Sequence, residues 1–179
     1  MRRILWLALL LALLAGAFQV GVGQAAPEVD TWAACKFLLG EWVGEGEGKP
    51  GQGSGQFSLA LDLDGKVMVR RNHSEYPASG GRPAAKHDDL MVIYKAPGGQ
   101  VKASYWDNEG HVIQYAVSAS PDGRILTMVS DPVRGAPRVR LTYTGGKEDT
   151  VGIKFEMSPP GQADAFKTYL DGNCRRKKA

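Results

Sequence analysis

Short segments in which apolar and polar residues alternate, each followed by a turn signal, constrain this chain more than any other feature. The segment 57–63 places apolar side chains at every second position, a period typical of a half-buried β-strand. Asp64-Gly65 follows it and is a strong signal for a two-residue hairpin turn. About ten such segments occur between residues 40 and 170. Parallel strands need crossover connections of about a dozen residues, so these short connections predict an antiparallel meander.

A meander of about ten short strands must also protect its edges. A closed barrel has no free edge strand. The sequence therefore predicts an all-β fold, a single antiparallel up-and-down β-barrel of about ten strands with a short N-terminal helical turn near residues 32–39. A two-sheet sandwich is the alternative. The 23 glycines and 10 prolines among 179 residues suit a turn-rich β protein of either kind.

Residues 1–25 are typical of a secretory signal peptide. Arginines at positions 2 and 3 precede an apolar run over 4–17, and Gly-Gln-Ala at 23–25 offers small residues at the −3 and −1 positions of a cleavage site. The apolar run is shorter than the roughly 20 residues of a bilayer span, although a permanent anchor is the alternative. We therefore expect cleavage after residue 25, a periplasmic or secreted mature protein, and no transmembrane segment after signal removal.

Removal of the leader also changes the charge. The leader holds two of the 22 basic residues and none of the 19 acidic ones, so the net charge falls from +3 to +1. We expect one barrel domain at 26–174 and a solvated basic tail at 175–179. Four of the remaining basic residues lie in that tail, so the domain itself is acidic. A net acidic domain lacks the basic face that nucleic-acid binding requires, and we expect no nucleic-acid partner.

The two cysteines, Cys35 and Cys174, lie near opposite ends of the mature chain. An even number of cysteines in an exported protein favours a disulfide. Closing so long a loop would stabilise the fold by about 4–5 kcal/mol in the chain-entropy model. Two free thiols are one alternative, and lipidation of Cys35 in the sequence Trp-Ala-Ala-Cys is another.

The segment 39–48, Leu-Gly-Glu-Trp-Val-Gly-Glu-Gly-Glu-Gly, resembles the opening of the calycin superfamily, which contains the lipocalins, the fatty-acid-binding proteins and the nitrobindins. In these proteins a Gly-x-Trp begins the first strand, the Trp closes one end of the barrel, and a late Arg packs on it. The resemblance implies structural roles for Gly40 and Trp42, with Arg175 or Arg176 as the late arginine. The rest of the mature chain resembles a group of bacterial secreted proteins without a known activity.

The chain has three histidines, His73, His87 and His111. Adjacent strands can bring them together, and three imidazoles with carboxylates around them can hold Zn or Fe. Nitrobindins hold haem iron through a histidine near the C-terminus, whereas this chain has none after His111, so the resemblance does not extend to that ligand. Scattered histidines at strand ends are the alternative, and the sequence leaves any cofactor or metal ligand open.

Strand parity predicts a polar end inside the barrel. Every second residue of the segment 67–75, from Val67 to Glu75, forms a face that starts apolar and ends charged. The segment 103–107 shows the same gradient, and 111–117 shows it in reverse, as the next antiparallel strand should. We therefore expect three interior side chains, His73, Asp107 and His111, to meet at one end, with Tyr105 on the same inner face as Asp107. Their alternative role is to cap solvent-exposed strand ends.

Arg138 and Arg140 alternate with apolar residues at 139, 141 and 143. With Arg140 inside the barrel, its guanidinium would bind a ligand carboxylate, as in fatty-acid-binding proteins. With both arginines outside, the apolar residues line the interior. Because a buried arginine without a ligand is costly, the second arrangement is the competing prediction.

These features predict an exported barrel that binds a small apolar or amphipathic molecule. Small barrels hold one such ligand, and pockets of this kind are mostly apolar with few polar anchors. Five residues are expected to bind the ligand: His73, Tyr105, Asp107, His111 and Arg140. A haem- or metal-binding barrel that uses a histidine is one alternative, and a structural or interaction module of the cell envelope with a filled core is another. Catalysis has less support, because no pair of acid–base groups has diagnostic spacing.

Overall fold

A computed structural model of the protein describes residues 32–45, 54–162 and 164–178. The predicted signal peptide, residues 1–25, lies outside the described residues. A short 3₁₀ helix, Ala33–Leu38, precedes ten strands in the described part of the chain. The strands are β1 (Gly40–Gly44), β2 (Ser54–Asp62), β3 (Val67–Tyr76), β4 (Ala85–Lys95), β5 (Val101–Asp107), β6 (Val112–Ala119), β7 (Ile125–Ser130), β8 (Arg138–Gly145), β9 (Thr150–Ser158) and β10 (Lys167–Arg176).

The ten strands form one closed antiparallel barrel. Each strand pairs with its neighbours in sequence, and β10 closes the barrel by pairing with β1. The predicted all-β up-and-down barrel with a short N-terminal helical turn is therefore confirmed, and the sandwich is excluded. At the first described hairpin, Asp64 and Gly65 both have positive φ, and the Lys66 amide donates to the Leu63 carbonyl at 3.0 Å. This is the turn that an Asp-Gly pair favours.

Alternation along each strand separates the interior of the barrel from its surface. On β8, Val139, Leu141 and Tyr143 are buried, whereas the residues between them are partly exposed. Paired residues on adjacent strands share a face, so the interior residues of all ten strands join into one apolar core. Within the described residues, the chain has no helix with the length and apolar character to cross a membrane.

One end of the barrel, here called the closed end, is sealed by the 3₁₀ helix and Trp42. The Trp42 indole Nε1 donates to the Leu38 carbonyl at 2.8 Å, and the indole is buried. The Arg176 guanidinium stacks on the other side of that ring, with its Cζ 4.3 Å from the centroid. Gly40 has φ +121°, and a Cβ there would collide with Arg176, so only glycine fits.

The last strand reaches further than the sequence indicates. β10 continues through Arg176, so Arg175 and Arg176 belong to the barrel and not to the basic tail predicted at 175–179. Arg176 faces Trp42 across the β1–β10 pair, and the next residue, Lys177, forms an ion pair with Glu41 at 2.9 Å. Their composition is that of a charged terminus. The Trp42 ring and the carbonyls of Phe37 and Leu39 nevertheless hold Arg176 in the fold.

The predicted Cys35–Cys174 disulfide is wrong, because both cysteines are free thiols. Cys35 lies in the 3₁₀ helix. Cys174 lies opposite Gly44 on β10, two residues further from that helix than Arg176. The stacked pair of Trp42 and Arg176 therefore occupies the space between the helix and Cys174. Burial raises the pKa of each thiol to about 11, so both remain protonated and poorly reactive at neutral pH.

Candidate functional site

Polar and charged side chains gather inside the opposite end of the barrel, here called the mouth. At the mouth β3 and β5 end while β4 and β6 begin. This polar group, here called the mouth network, extends from buried residues in the middle of the barrel to exposed residues at the rim. Its members are Tyr143, Arg70, Asp89, His87, Tyr105, Asp107, Glu109 and His111.

The strand β4 supplies two of these residues because it begins earlier than the sequence indicates. Its pattern predicts a strand from Leu90, whereas the strand begins at Ala85. His87 and Asp89 therefore precede the buried Met91 on the same inward face. The first half of this strand is polar, so it resembles a loop in composition although its backbone completes the ladder with β3.

Arg70 is the cation at the inner end of the network. It pairs laterally with Leu59 on β2 and Met91 on β4, both fully buried, and only 8% of Arg70 is exposed. Its Nη1 donates to the carboxylate of Asp89, which is 4% exposed. Burial opposes the charged guanidinium, but Tyr143 and Asp89 outweigh this effect and raise the pKa of Arg70. The interior therefore holds a buried ion pair.

Two buried polar atoms beside this ion pair lack a hydrogen-bond partner. Among the described residues these are Arg70 Nε and Tyr143 Oη. The Arg70 guanidinium approaches the Tyr143 phenol closely enough to lower the pKa of that phenol through its charge and a weak hydrogen bond, but neither Arg70 Nε nor Tyr143 Oη makes a hydrogen bond of ordinary geometry. Burial raises the pKa of Tyr143 to about 12, so its phenol keeps its proton. Each unsatisfied buried group costs about 1–3 kcal/mol, and native proteins rarely keep such groups without a reason.

From the ion pair, the network continues outward through His87 and Tyr105. His87 Nε2 lies 3.3 Å from Asp89 Oδ2 and 3.1 Å from Tyr105 Oη. The other ring nitrogen, Nδ1, lies 2.9 Å from Glu109 Oε1 at the rim. Burial, followed by the charge of Asp89, raises the pKa of Tyr105 above its ordinary range. The Tyr105 phenol therefore keeps its proton, and it donates a hydrogen bond to Asp107 Oδ2 at 3.2 Å.

Asp107 anchors the rim. Its carboxylate is 3% exposed and accepts hydrogen bonds from the backbone amides of Glu109 and His111 at 3.0 and 2.9 Å. His111 Nδ1 lies 2.8 Å from its other oxygen. Burial alone would raise the pKa of Asp107, but the hydrogen bonds from His111 and Tyr105 outweigh it and lower that pKa. The structure thus brings Tyr105, Asp107 and His111 together at the mouth, but the His111 side chain is 61% exposed at the rim, so its predicted interior position is wrong.

His73 does not join them. It lies on the outer face of β3, where its Nδ1 is 2.6 Å from Asp88 Oδ1. The interior face of this strand is the other set of residues, which contains Met68 and Arg70. The interior position predicted for His73 is therefore wrong. Both faces of β3 begin with apolar residues, so alternation along this strand does not show which face is interior. The prediction took the face without Arg70. The buried Asp89 carboxylate, however, allows Arg70 to lie inside the barrel.

Arg140 is also outside the barrel, which corrects its predicted place in the interior. Its Nε and Nη2 donate to the two carboxylate oxygens of Glu156 at 2.6 and 3.0 Å. The Phe166 ring lies 4.3 Å from its Cζ. The interior face of β8 belongs to Val139, Leu141 and Tyr143, as the competing prediction has it. The interior cation of the barrel is Arg70, on a different strand.

The three histidines do not converge on one point. His73 faces outward, His87 lies nearest to Glu109 and Asp89, and His111 lies 2.8 Å from Asp107 and 4.0 Å from Glu109. In the part of the chain that the structure describes, no group of three or more His, Cys, Asp or Glu side chains is arranged to hold a metal ion. The histidine-based metal or haem site stays a prediction without a matching geometry among these residues.

Sequence reasoning did not assign the residues at the inner end of the network, Arg70, Asp89, His87 and Tyr143, to ligand binding, and it considered His87 only as a metal ligand. A signal for two of them exists in the alternation His87, Asp89, Met91, Ile93, which runs from polar to apolar like the segment 103–107 in reverse. A search of protein-family models and a search of curated proteins find no match to this chain.

Proposed function

We propose that this protein is an exported, calycin-like barrel that binds a small, partly apolar molecule through its mouth. The observation that carries the proposal is the pair of buried polar atoms without partners, Arg70 Nε and Tyr143 Oη, at the inner end of the mouth network. Apolar side chains line most of the remaining interior. An apolar site with a few convergent polar groups is the usual form of a small-molecule site.

The interior side chains suit a ligand that enters from the mouth. Ile113, Phe155 and Met157 belong to the inner wall at this end and keep partial exposure. Met68, Met91 and Met128 are fully buried deeper in the barrel. Unbranched thioether side chains adapt readily to a new neighbour, so these methionines can move aside for the apolar part of a ligand.

The calycin relationship rests on the closed end and on the predicted signal peptide. Gly40 and Trp42 begin the first strand, Trp42 seals the barrel, and Arg176 packs on its ring, as the resemblance implies. Export to the periplasm or beyond follows from the leader at residues 1–25. In this proposal the protein carries or retains a small molecule outside the cytoplasm.

A second function, an interaction module of the cell envelope, is favoured by a different observation. Trp106 and Val112 pair across β5 and β6 on the outer face and are 40% and 63% exposed. An exposed aromatic and aliphatic pair of this kind can contact another macromolecule. In that function the interior residues would serve only as a filled core.

Native mass spectrometry of the mature protein purified from an oxidising compartment tests the first proposal. We expect a discrete non-covalent adduct of a few hundred daltons on the unmodified protein. The double variant Arg70→Met/Asp89→Leu removes the interior ion pair together, and we expect the adduct to disappear. Arg140→Met, which removes an outward-facing arginine, is the matched control and should keep it.

A bare polypeptide under gentle conditions, together with no binding of an added apolar fluorescent probe, would overturn ligand binding. In that case the exposed surface around Trp106 becomes the feature to test. Circular dichroism of both variants separates a loss of ligand from a loss of fold.

A further inference from the structure

We infer that the ligand presents an uncharged acceptor, such as a ketone, ester or amide carbonyl, to Arg70 and Tyr143, and that the site disfavours carboxylates. This inference rests on the proposed function and names the chemical class of its ligand. It follows from three features of the interior: the neutralised charge of Arg70, the acidic groups between it and the rim, and the donors that have no partner.

The charge of Arg70 is already matched. Asp89 accepts from its Nη1, and both side chains are almost wholly buried, at 9% and 4% exposure. A ligand carboxylate at Arg70 Nε would therefore lie close to the Asp89 carboxylate in a medium that screens poorly. Like charges that share a buried site disfavour each other's ionised form. An uncharged ligand meets no such repulsion.

The groups between the rim and Arg70 are acidic as well. Asp107 is buried and held as a carboxylate by its hydrogen bonds, and Glu109 lies beside it at the rim. Both carboxylates would repel a ligand anion bound at the inner end of the network. The guanidinium of Arg70 would repel a ligand cation bound there. A neutral molecule is compatible with all three charged groups.

The unpartnered atoms define what the ligand must offer. Arg70 Nε carries one hydrogen, which it can only donate. Tyr143 Oη keeps its proton because it is buried, so it can donate too. A carbonyl oxygen has two lone pairs and can accept from both donors at once. One ordered water is the competing occupant, since a buried water needs two or more polar partners.

Decanamide and decanoate distinguish these cases, because the two probes share shape and apolar tail and differ in the charge of the head group. We expect calorimetric titration of the mature protein to show roughly tenfold or tighter binding of decanamide. Asp89→Asn removes the carboxylate and keeps the side-chain shape, so it should reverse the preference toward decanoate. Asp88→Asn changes the adjacent, outward-facing residue and should leave the preference unchanged.

Equal binding of the two probes to the unmodified protein, or tighter binding of decanoate, would overturn this inference and leave the proposed function intact. Binding of neither probe, combined with a bare polypeptide in native mass spectrometry, would overturn the proposed function. The comparison on the unmodified protein decides the question even where Asp89→Asn fails to fold.

Discussion

The two ends of the barrel each place an arginine against an aromatic ring, yet the two arginines differ in one respect. At the closed end, Arg176 stacks on Trp42 and donates to Leu39 O, Phe37 O and Asp149 Oδ1 at 2.5, 3.4 and 2.9 Å. Toward the mouth, the Cζ of Arg70 lies 5.4 Å from the centroid of the Phe57 ring, and the Nε of Arg70 has no hydrogen-bond partner. The first guanidinium completes its contacts within the fold, whereas the second keeps a donor free.

This difference separates a structural arginine from one available to a ligand. Arg176 donates to backbone carbonyls that come within its reach only when the 3₁₀ helix is docked, so it stabilises the closed end. Arg70 is more deeply buried and bonds a carboxylate from the neighbouring strand. Its Nε has no hydrogen-bond partner in the folded chain and is therefore available to a ligand.

The largest expected effect comes from opening the closed end with Trp42→Ala. The indole is buried and donates to Leu38, so its removal should lower the free energy of unfolding by about 3–5 kcal/mol. Trp106→Ala, on the exposed outer face, is the matched control and should lose less than about 1 kcal/mol. Urea denaturation measures both values. Equal losses would mean that Trp42 does not seal the barrel.

Breaking the interior ion pair should have an effect nearly as large. Arg70→Met removes the guanidinium that neutralises Asp89 and leaves the buried carboxylate with His87 as its remaining neighbour, which costs about 3–5 kcal/mol. Adding Asp89→Leu should restore most of that stability, because a buried pair can be replaced by apolar residues at little cost.

At the closed end the same design should not rescue. Arg176→Met loses hydrogen bonds to backbone carbonyls, which Asp149→Leu cannot restore. Thermal unfolding of the four variants tests this contrast. Rescue at both ends, or at neither, would remove the distinction between the two arginines.

Tyr143→Phe should separate stability from binding. It deletes a buried hydroxyl that has no partner, so the free energy of unfolding should stay level or rise by about 1 kcal/mol. Binding of decanamide should weaken, since one of the two donors is lost. Tyr105→Phe is the control: its hydroxyl bonds Asp107 and His87, so its removal should destabilise the protein. A clear loss of stability in Tyr143→Phe would show that its hydroxyl is bonded.

The smallest expected effect is a dependence of stability on acid pH at the rim. The pKa of Asp107 is lower in the folded protein than its ordinary value of 3.8, so its contribution is present above that value and is lost as the pH falls through the folded pKa. Asp107→Asn should therefore make stability less sensitive to pH below about 4. Acid titration followed by circular dichroism compares the two proteins, and an unchanged profile would contradict the role given to this carboxylate.

The sequence predicted more at the closed end than at the mouth. Gly40, Trp42 and a late arginine can be recognised in the sequence. Few other residues can replace a glycine with positive φ or fill the space of a buried indole. At the mouth, Tyr105, Asp107 and His111 flank a short turn, and the strands on both sides of it alternate clearly between inward and outward residues. Arg70 escaped prediction because an isolated arginine on an interior face is unfavourable, and Asp89, which pairs with it, lies in a polar segment that resembles a loop.

The sequence alone established an antiparallel meander of about ten strands, since period-two patterns and short turns leave no room for crossover connections, and it favoured a closed barrel over a sandwich. Only the tertiary structure decided which face of β3 points inward and whether the cysteines meet. Both faces of that strand begin with apolar residues, and a shift of one residue exchanges them. The choice depends on lateral neighbours, with Leu59 on one side of Arg70 and Met91 on the other. Burial of a charge depends in the same way on a partner from another strand, and no local pattern records that partner.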